Sequence, residues 1–352
     1  MTRQRKAPTI EVVAREAGVS PMTVSRVING LAGVREGTRA KVNAAIAALN
    51  FVPNQAAQRL AGAEQIRIGV LYSNPSAAYL SEFLVGLLDQ ASRSHAQLVV
   101  EKSEGDARDE AHAREMAASG IDGIVLPPPL CDSKPLLALV AELGLPAVLV
   151  ASGRPAEDVS TVGIDDFQSA FEMTRHVISL GHHRIGFING HPNQTASAKR
   201  QQGFLAAMSA AGLSVEADLV ATGLFTYRSG LDAAEALLGL EQRPTAIFAA
   251  NDDMAAATVA VAHRLGLDVP SDLTVVGFDD TAIATTIWPE LTTIRQPIAE
   301  MSRSAVEMLV RQIRTRRGGA VEPVDHVVLP HALVRRQSDA APRIRPPLRI
   351  LK

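Results

Sequence analysis

The feature that most constrains this sequence is a series of short apolar runs that alternate with longer segments of helical periodicity. The runs predicted to be strands are Ile66–Tyr72, Gln97–Glu101, Gly123–Leu126, Ala147–Val150, Thr161–Ile164, Arg184–Ile188, Ala246–Ala249 and Leu273–Phe278. Helices predicted between them include Tyr79–Ser92, Phe167–Leu180, Ala198–Ala211, Ser229–Leu240 and Asp253–Leu265. Continuous apolar strands separated by amphipathic helices are typical of parallel sheets that helices cover on both faces. The strands are too many for one sheet, so an α/β region with more than one sheet is predicted.

A different pattern, typical of short packed helices, occupies the N-terminal part of the chain. Apolar residues recur at helical spacing after Thr9, which is the predicted N-cap, and Gly18 is predicted to end this first helix. Ser20 is predicted to cap a second helix that begins with Pro21. Two helices joined by so short a glycine-containing turn form a helix-turn-helix, whose second helix lies in the major groove of DNA.

Charge is distributed unevenly, although the formal net charge of the whole chain is only −2. Residues 1–62 carry nine Lys/Arg and three Asp/Glu, residues 63–310 carry sixteen and thirty-one, and residues 311–352 carry ten and three. A basic head on an acidic body favours binding of a polyanion such as DNA by the head.

The composition also limits the compartment in which the chain is expected. The single cysteine, Cys131, excludes an intramolecular disulfide and fits a reducing cytoplasm. The first thirty residues contain no apolar secretory segment, and no run of eighteen apolar residues is present that would span a membrane. We therefore expect a cytoplasmic protein without a membrane partner.

Blocks of residues in a fixed order resemble the lactose-repressor (LacI/GalR) family of bacterial regulators. These blocks are Ala14-Arg15-Glu16-Ala17-Gly18-Val19-Ser20, Thr23-Val24-Ser25-Arg26-Val27-Ile28-Asn29-Gly30, Thr38-Arg39-Ala40-Lys41-Val42, Asn50-Phe51-Val52-Pro53-Asn54 and Ala57-Gln58-Arg59-Leu60. The resemblance continues, with fewer matches, to about residue 338. It implies an all-α helix-turn-helix head, a hinge helix and two Rossmann-like lobes of the periplasmic-binding-protein type I fold.

The resemblance also implies a domain organisation. Residues 1–53 would form the helix-turn-helix domain, 54–64 the hinge helix and linker, and 65–338 the effector-binding and dimerisation domain. We expect the N-lobe at 65–163 and 295–324 and the C-lobe at 164–294 and 325–338, with crossings near Gly163, Ile294 and Val324. Residues 339–352 are a Pro/Arg-rich tail. This tail lacks the leucine heptad of tetrameric family members, so a homodimer is expected.

The family's DNA contacts can be transferred to matching residues of the head and the hinge. Arg26 is the candidate for a base contact, because a guanidinium can bridge guanine O6 and N7, and a phosphate contact is the alternative. Pro21 and Met22 occupy specificity positions, where an apolar contact such as one with a thymine methyl is expected. Leu60 is expected to insert into the minor groove and kink the duplex, unless it is an ordinary linker leucine. The other candidate DNA-binding residues are Thr9, Ser20, Thr23, Ser25, Asn29, Thr38, Asn54 and Gln58.

In folds of this kind the ligand binds at the carboxyl ends of the strands, here in the cleft between the lobes. Arg200, Asn251 and Asp279 match the family's ligand anchors, and such side chains can hold the vicinal hydroxyls of a sugar. Tyr79 and Phe225 are candidates for stacking on an apolar ring face, with core packing as the alternative. The remaining candidate effector-binding residues are Ser73, Trp288 and Gln296.

The sequence contains no recognisable catalytic or metal-binding set. His182 and His183 are adjacent, point to different faces and lack a completing ligand at metal spacing. No nucleophile elbow, phosphate-binding glycine loop or HExxH motif is present. We therefore expect neither an enzyme nor a cofactor.

These observations predict a transcriptional regulator, most readily a repressor of a palindromic operator that a sugar or sugar derivative controls allosterically. Ala151 stands where galactoside-responsive relatives carry an aspartate, so the ligand is not expected to bind as in those relatives. Two alternatives remain at this point: a solute-binding receptor with the same two-lobed fold, and a corepressed regulator that responds to a purine or nucleoside. The sequence does not decide whether the effector releases or recruits DNA.

Overall fold

The computed structural model describes residues 9–28, 34–49, 51, 65–103, 108–154 and 156–343. The chain forms two compact units, residues 1–65 and residues 66–352. Residues 1–8 lie outside the described residues, and so do several predicted DNA contacts: Asn29, Asn54, Gln58 and Leu60. The predicted hinge helix lies outside them as well.

The smaller unit contains three described helices, α1 (Ile10–Ala17), α2 (Pro21–Ile28) and α3 (Glu36–Ala48). Their buried faces form one core around Val13, Val24 and Val42. Gly18 ends α1 in the left-handed conformation, with a φ of 64°, and directs the chain into α2. The third helix begins two residues before Thr38, the predicted start.

Of the two predicted helix caps, Ser20 makes a capping hydrogen bond and Thr9 does not. The Ser20 hydroxyl accepts a hydrogen bond from the backbone N–H of Thr23 at 3.2 Å, as an N-cap does. Thr9 stands at the N-cap position of α1 with extended backbone, but its side chain makes no capping hydrogen bond. The first turn of α1 therefore has no side-chain cap from Thr9.

The larger unit contains two six-stranded sheets, which confirms the predicted α/β class. The strands are β1 (Arg67–Tyr72), β2 (Gln97–Lys102), β3 (Gly123–Leu126), β4 (Ala147–Val150), β5 (Ser160–Gly163), β6 (Ile185–Asn189), β7 (Val220–Thr222), β8 (Ala246–Ala249), β9 (Thr274–Asp279), β10 (Thr292–Arg295), β11 (His326–Val328) and β12 (Ala332–Val334). The N-lobe sheet has the order β11-β5-β4-β3-β1-β2, and the C-lobe sheet has the order β12-β10-β9-β8-β6-β7. All neighbouring strands are parallel except β10 and β12.

Helices cover both sheets, as the parallel pairing requires. They are α4 (Ala77–Ser94), α5 (Asp109–Ala118), α6 (Lys134–Glu142), α7 (Asp166–Ser179), α8 (Thr195–Ala210), α9 (Tyr227–Leu238), α10 (Asp252–Arg264), α11 (Ile283–Thr286) and α12 (Ile298–Arg317). In the described part of the chain, none of the helices combines the length and the apolar composition needed to cross a membrane.

One helix pair in each lobe packs at a glycine. In the N-lobe, α4 meets α12 at Gly86, where an added Cβ would overlap the carbonyl oxygen of Ala299. In the C-lobe, α7 meets α8 at Gly203, where an added Cβ would overlap the carbonyl oxygen of Phe167. Both lobes thus use the absence of a side chain to bring two helix backbones together.

The chain crosses between the lobes after Gly163, after Arg295 and after Val328. The third crossing differs from the predicted position near Val324, because β11 pairs with β5 and so belongs to the N-lobe sheet. This edge strand has three residues, of which two are exposed, so it lacks the buried apolar run by which the other strands were recognised.

The C-lobe also continues beyond Ser338, where the tail was predicted to begin. The Asp339 carboxylate accepts from the ring of His176 at 2.8 Å and from the hydroxyl of Thr292. The backbone N–H of Ala340 donates to Thr274 Oγ1 at 3.0 Å. Asp339 and Ala340 are therefore part of the folded lobe, and the predicted tail boundary at 339 is wrong.

Candidate effector site between the two lobes

The carboxyl ends of the strands in both sheets face a small pocket, which we call the inner pocket. Its lining residues are Asn74, Ser76, Tyr79, Pro128, Ala151, Gln194, Ala196, Arg200, Phe225, Asn251, Asp279 and Gln296. Most of them follow a strand directly or by a few residues, in agreement with the rule that ligands bind at the carboxyl edge of a parallel sheet.

The structure brings six of the eight predicted effector-binding residues into this pocket: Tyr79, Arg200, Phe225, Asn251, Asp279 and Gln296. Ser73 lies beside it, in the wider opening of the cleft. Trp288 is not among the lining residues, and 75% of its surface is exposed. Trp288 was predicted because it flanks the crossing between the lobes, and the structure places its side chain on the protein surface.

Arg200 is the central charged group of the pocket. Its side chain lies on α8, and its Nε donates to Asp166 Oδ1 at 2.8 Å while its Nη1 donates to the carbonyl of Ala250 at 2.7 Å. Asp279 Oδ1 lies 3.7 Å from Nη1, and the guanidinium carbon lies 3.7 Å from the ring centroid of Phe278. Arg200 is thus fixed by pairing and stacking before any ligand arrives.

The two other predicted anchors are also held by the protein. Asn251 is the N-cap of α10, where its Oδ1 accepts from Met254 N at 3.0 Å and its Nδ2 donates to the carbonyl of Phe225 at 3.1 Å. Asp279 ends β9 with a φ of 116°, in the region that favours glycine, and its Oδ1 accepts from Gln296 Nε2 at 2.6 Å. A non-glycine residue with such a backbone is strained, which is common in binding sites.

Two buried polar atoms in the pocket have no hydrogen-bond partner among the described residues. They are the hydroxyl oxygen of Tyr79 and the Oε1 of Gln296. Burial raises the pKa of Tyr79 well above its ordinary value, so the hydroxyl remains protonated. Because an unsatisfied buried polar group is costly, these two groups are the ones that a ligand would satisfy.

Several carboxyl groups surround Arg200, and burial shifts their ionisation. Burial raises the pKa values of Asp166 and Asp279, and the Arg200 guanidinium opposes the rise at both. The pKa of Asp252 is raised to about 7, chiefly by burial, although its carboxylate accepts from Thr293 Oγ1 at 2.7 Å and Thr281 N at 2.8 Å. With one arginine among several carboxyl groups, the pocket has no surplus positive charge for an anion.

Hydrogen bonds between the lobes close the cleft on two sides of the pocket. On one side Asp132, in the 3₁₀ turn Leu130–Asp132, accepts from the N–H and the hydroxyl of Thr195, both at 2.7 Å. On the other side the Ser76 hydroxyl donates to Asp253 Oδ2 at 2.6 Å. The remaining cavity volume of about 30 Å³ has room for no more than about two water molecules. The lobes are therefore closed around the inner pocket, which would have to open to admit a ligand the size of a sugar ring.

Sequence reasoning missed Asn74, Ser76, Pro128, Gln194 and Ala196 as lining residues. A systematic use of strand ends would have found Asn74 after β1 and Pro128 after β3. Gln194 and Ala196 carry no such signal, because their position depends on how the N-terminus of α8 approaches the opposite lobe.

In the head, the predicted DNA contacts of α2 lie opposite its buried face. Val24 and Val27 are buried, whereas Pro21, Met22 and Arg26 are exposed, Met22 by 72%. Thr23, Ser25 and Thr38 are partly buried, whereas Thr9 and Ser20 are exposed. An apolar side chain as exposed as Met22 is available to a partner.

Comparison with known proteins identifies both units. A model of bacterial regulatory proteins of the lacI family matches residues 9–54, and a model of the periplasmic binding protein-like domain matches residues 174–338. The chain is 34% identical to the HTH-type transcriptional repressor PurR of Pectobacterium carotovorum over 94% of this chain and 97% of that protein. The chain belongs to the lacI family of bacterial regulatory proteins. It is therefore a DNA-binding transcriptional regulator and not an enzyme.

Solved structures of family members superimpose on most of the chain. The complex of the transcriptional regulator CelR with cellobiose has a TM-score of 0.72 and 34% identity, covering 94% of this chain and 99% of that one. A Lac repressor dimer bound to operator and the anti-inducer ONPF has a TM-score of 0.76 and 29% identity, covering 96% and 100%.

Of the two histidines considered as a metal site, His182 has hydrogen-bonding neighbours elsewhere in the C-lobe. His182 Nδ1 lies 2.9 Å from Thr245 Oγ1, and Nε2 lies 2.7 Å from the carbonyl oxygen of Ala340. Burial lowers the pKa of His182, so the ring is predominantly neutral at pH 7. Within the described ranges, no group of three or more His, Cys, Asp and Glu side chains is placed to hold a metal ion.

Proposed function

We propose that this regulator is a homodimeric repressor of a palindromic operator, and that a neutral carbohydrate in the inner pocket controls its affinity for DNA. The observation that carries the effector class is the polar content of the pocket. Its only arginine is already paired with carboxylates, and its unpartnered groups are a neutral hydroxyl and a neutral amide. Such a site suits hydroxyl groups better than a carboxylate or phosphate.

The charged anchors all lie on the C-lobe, where they stay paired with each other. We therefore describe the entry of a sugar as a movement of the N-lobe away from them. Opening breaks the hydrogen bonds of Asp132 with Thr195 and of Ser76 with Asp253, and the ligand's own contacts then set the position of the N-lobe. We propose that this movement acts through a hinge helix at residues 54–64, where Leu60 kinks the operator. Coupling of about 1–3 kcal/mol would change operator affinity roughly 5- to 150-fold.

We place the regulator in the bacterial cytoplasm, where operator DNA is found. By analogy, the CelR complex with cellobiose supports the carbohydrate effector, and the Lac repressor dimer on operator supports a dimer that binds DNA. The family membership removes the solute-receptor alternative. A purine- or nucleoside-responsive corepressor remains the second candidate, because the repressor PurR is as similar to this chain as CelR is.

The DNA-reading part of the proposal is tested with the full-length protein and a duplex selected from a random pool. Arg26→Ala is expected to remove preference for the selected duplex while leaving binding that weakens steeply with salt. Arg15→Ala removes the same charge from an exposed position on α1 and should keep the preference. Equal preference in both variants would exclude Arg26 as a base-reading residue.

The effector part is tested by thermal shift with sugars, sugar acids, sugar phosphates, purines and nucleosides. A neutral sugar is expected to raise the melting temperature and to change affinity for the selected duplex. Stabilisation by a purine alone would replace the carbohydrate proposal with the corepressor.

A further inference from the structure

The N-lobe contains a second cavity at the opposite edge of its sheet from the inner pocket, and we call it the basal pocket. Its walls come from the end of α6, the starts of β4 and β5, the end of α12 and the segment after α12. Its cavity volume is about 430 Å³, within the range of roughly 300–1,000 Å³ that is typical of small-molecule sites. Among the described residues, it shares no lining residue with the inner pocket or with the opening of the cleft. The basal pocket is therefore separate from the effector site.

Much of the wall of the basal pocket is apolar. Val140, on α6, is only 3% exposed, and Leu137 and Val159 are partly buried against the same hydrophobic cluster. In the segment after α12, Val321 and Val324 are 90% and 43% exposed. Apolar side chains that line a cavity and remain this exposed are available to an apolar ligand group.

Arg316 gives the basal pocket a positive charge that no carboxylate neutralises. Its Nη1 donates to the carbonyl oxygen of Gly144, another lining residue, and this bond holds the guanidinium beside the pocket. Arg311, on the same helix, differs, because it lies 3.5 Å from both Glu322 and Asp325. Arg316 has no ion-pair partner in the described part of the chain, so its other N–H groups are available to a ligand.

Asp158 gives the same pocket an available negative charge. It lies in the connection between β4 and β5, is exposed, and has no hydrogen-bond or ion-pair partner among the described residues. The third charged lining residue, Glu322, is already satisfied, since it accepts from the Thr315 hydroxyl at 2.7 Å and lies 3.5 Å from Arg311. The basal pocket thus presents one unpaired charge of each sign beside apolar walls.

We propose that the basal pocket binds a free α-amino acid with an apolar side chain. The ligand's carboxylate pairs with Arg316, its ammonium group pairs with Asp158, and its side chain contacts the apolar walls. A carboxylic acid without an ammonium group leaves Asp158 unpaired, and an amine without a carboxylate leaves Arg316 unpaired. A zwitterion matches both charges, and its net charge of zero matches the sum of the two.

A single helix connects the basal pocket to the crossing between the lobes. Helix α12 begins at Ile298, two residues after Gln296 of the inner pocket, and Arg316 is close to its other end. Because an α-helix rises 1.5 Å per residue, Ile298 and Arg316 are roughly 27 Å apart. An amino acid that repositions Arg316 therefore acts on the crossing from a distance, and it is expected to change affinity for DNA.

The binding test uses calorimetry on the full-length protein with L-leucine, L-isoleucine, L-methionine and L-phenylalanine, of which at least one is expected to bind. Analogues that lack one charge separate the two ion pairs. Isocaproate and isoamylamine serve for leucine, and hydrocinnamate and phenethylamine serve for phenylalanine. Each analogue is expected to bind about fivefold more weakly than its amino acid, because it loses one ion pair.

Arg316→Ala and Asp158→Asn are each expected to weaken binding of the amino acid about fivefold. Arg314→Ala is the matched control for the first, because Arg314 also lies on α12, also donates to a backbone carbonyl, that of Ser94, and does not line the pocket. Glu157→Gln is the control for the second, because Glu157 is exposed beside Asp158 and does not line the pocket. Both controls should leave the affinity unchanged.

Each part of the proposal has a result that overturns it. If none of the four amino acids binds, the site is wrong. Binding that survives both Arg316→Ala and Asp158→Asn places the amino acid outside the basal pocket. A singly charged analogue that binds as tightly as its amino acid overturns the zwitterionic class. Affinity for the selected duplex that stays the same when the amino acid saturates the protein overturns the connection through α12. None of these results depends on a sugar being the effector.

Discussion

The two lobes share one architecture but contribute different chemistry to the cleft. Each has a six-stranded sheet and a helix pair that meets at a glycine. The C-lobe contributes the charged and tightly bonded groups, Arg200 and Asp279 together with Asp166 behind them. To the inner pocket itself the N-lobe contributes uncharged residues such as Asn74 and Tyr79. The charged groups of the C-lobe are therefore already paired and in position, and at the inner pocket the N-lobe closes over them with uncharged groups.

This division has an energetic reason. Bringing a charge out of water is expensive, and the cost is smallest when its partners are already in place. In the C-lobe the charges are paired with each other in the closed state, so closure of the N-lobe adds hydrogen bonds to Asp132 and Asp253 but no ion pair between the lobes among the described residues. If the charges were divided between lobes, opening the cleft would break buried ion pairs each time a ligand entered.

The largest effect is expected from removing the central charge of the C-lobe. Arg200→Ala should lower the free energy of unfolding by about 3–5 kcal/mol, because it leaves Asp166 and Asp279 buried without their cation. Urea unfolding at pH 7.5 measures the change. Arg228→Ala removes an arginine whose side chain and partner are 82% and 64% exposed, and it should cost no more than about 1 kcal/mol. Similar costs for both variants would show that the C-lobe charges are not preassembled.

The next effect tests the architecture that the lobes share. Gly86→Ala and Gly203→Ala should each lower the free energy of unfolding by about 1–3 kcal/mol, because each new Cβ overlaps a backbone carbonyl of the facing helix. Gly37→Ala is the control: a Cβ added there, in α3, would meet no atom within 4 Å, so a gain of roughly 0.5–1 kcal/mol is expected in the head. Thermal unfolding measures the change in stability of each variant. If only one of Gly86→Ala and Gly203→Ala lowers the stability, the two helix pairs are not equivalent.

The sequence predicted the buried parts of this architecture better than the exposed parts. The central strands β3, β4 and β8 have the predicted bounds, because each is a continuous buried apolar run. Strand β11 was not predicted, because two of its three residues face solvent and only its pairing with β5 defines it. The last crossing was therefore placed too early, near Val324.

The residues of the candidate site were likewise predictable only where a local stretch of sequence identifies them. Arg200, Asn251 and Asp279 could be predicted, since each belongs to a recognisable block at a strand or helix end. Gln194 could not, because its importance arises from the approach of two segments on opposite lobes. Trp288 does not line the inner pocket, because proximity to the crossing in the sequence does not determine which way a side chain points, and this one is exposed.

A smaller effect is expected in the pH dependence of the C-lobe. The pKa of Asp252 is about 7 in the folded protein and about 3.9 in an unfolded chain. The folded state therefore holds a proton that the unfolded state has lost, and the stabilisation present below pH 4 disappears as the pH rises toward 7. Between pH 5.5 and 7.5, Asp252 should lower the free energy of unfolding by about 2 kcal/mol at most.

Asp252→Asn should flatten this dependence, because a neutral amide does not titrate and can still accept from Thr281 N while donating to Thr293 Oγ1. Urea unfolding of both proteins at each pH gives the difference between the two slopes. The contribution of His182, whose pKa is lowered by burial, is common to both proteins and cancels. Parallel curves for the two proteins would mean that Asp252 ionises normally and that the C-lobe charges are less enclosed than the geometry indicates.

The smallest effect on stability, and the sharpest test of the comparison, concerns the N-lobe. Tyr79→Phe removes a buried hydroxyl that has no partner among the described residues, so the free energy of unfolding should stay within about 0.5 kcal/mol of the original or rise. The same change should weaken effector binding up to about tenfold, since a ligand hydrogen bond of roughly 0.5–1.5 kcal/mol is lost. Tyr227→Phe is the control, because Tyr227 is 42% exposed on α9. If Tyr79→Phe lowers the free energy of unfolding but leaves effector affinity unchanged, Tyr79 is part of the core. The N-lobe would then shape the cleft without forming hydrogen bonds with the effector.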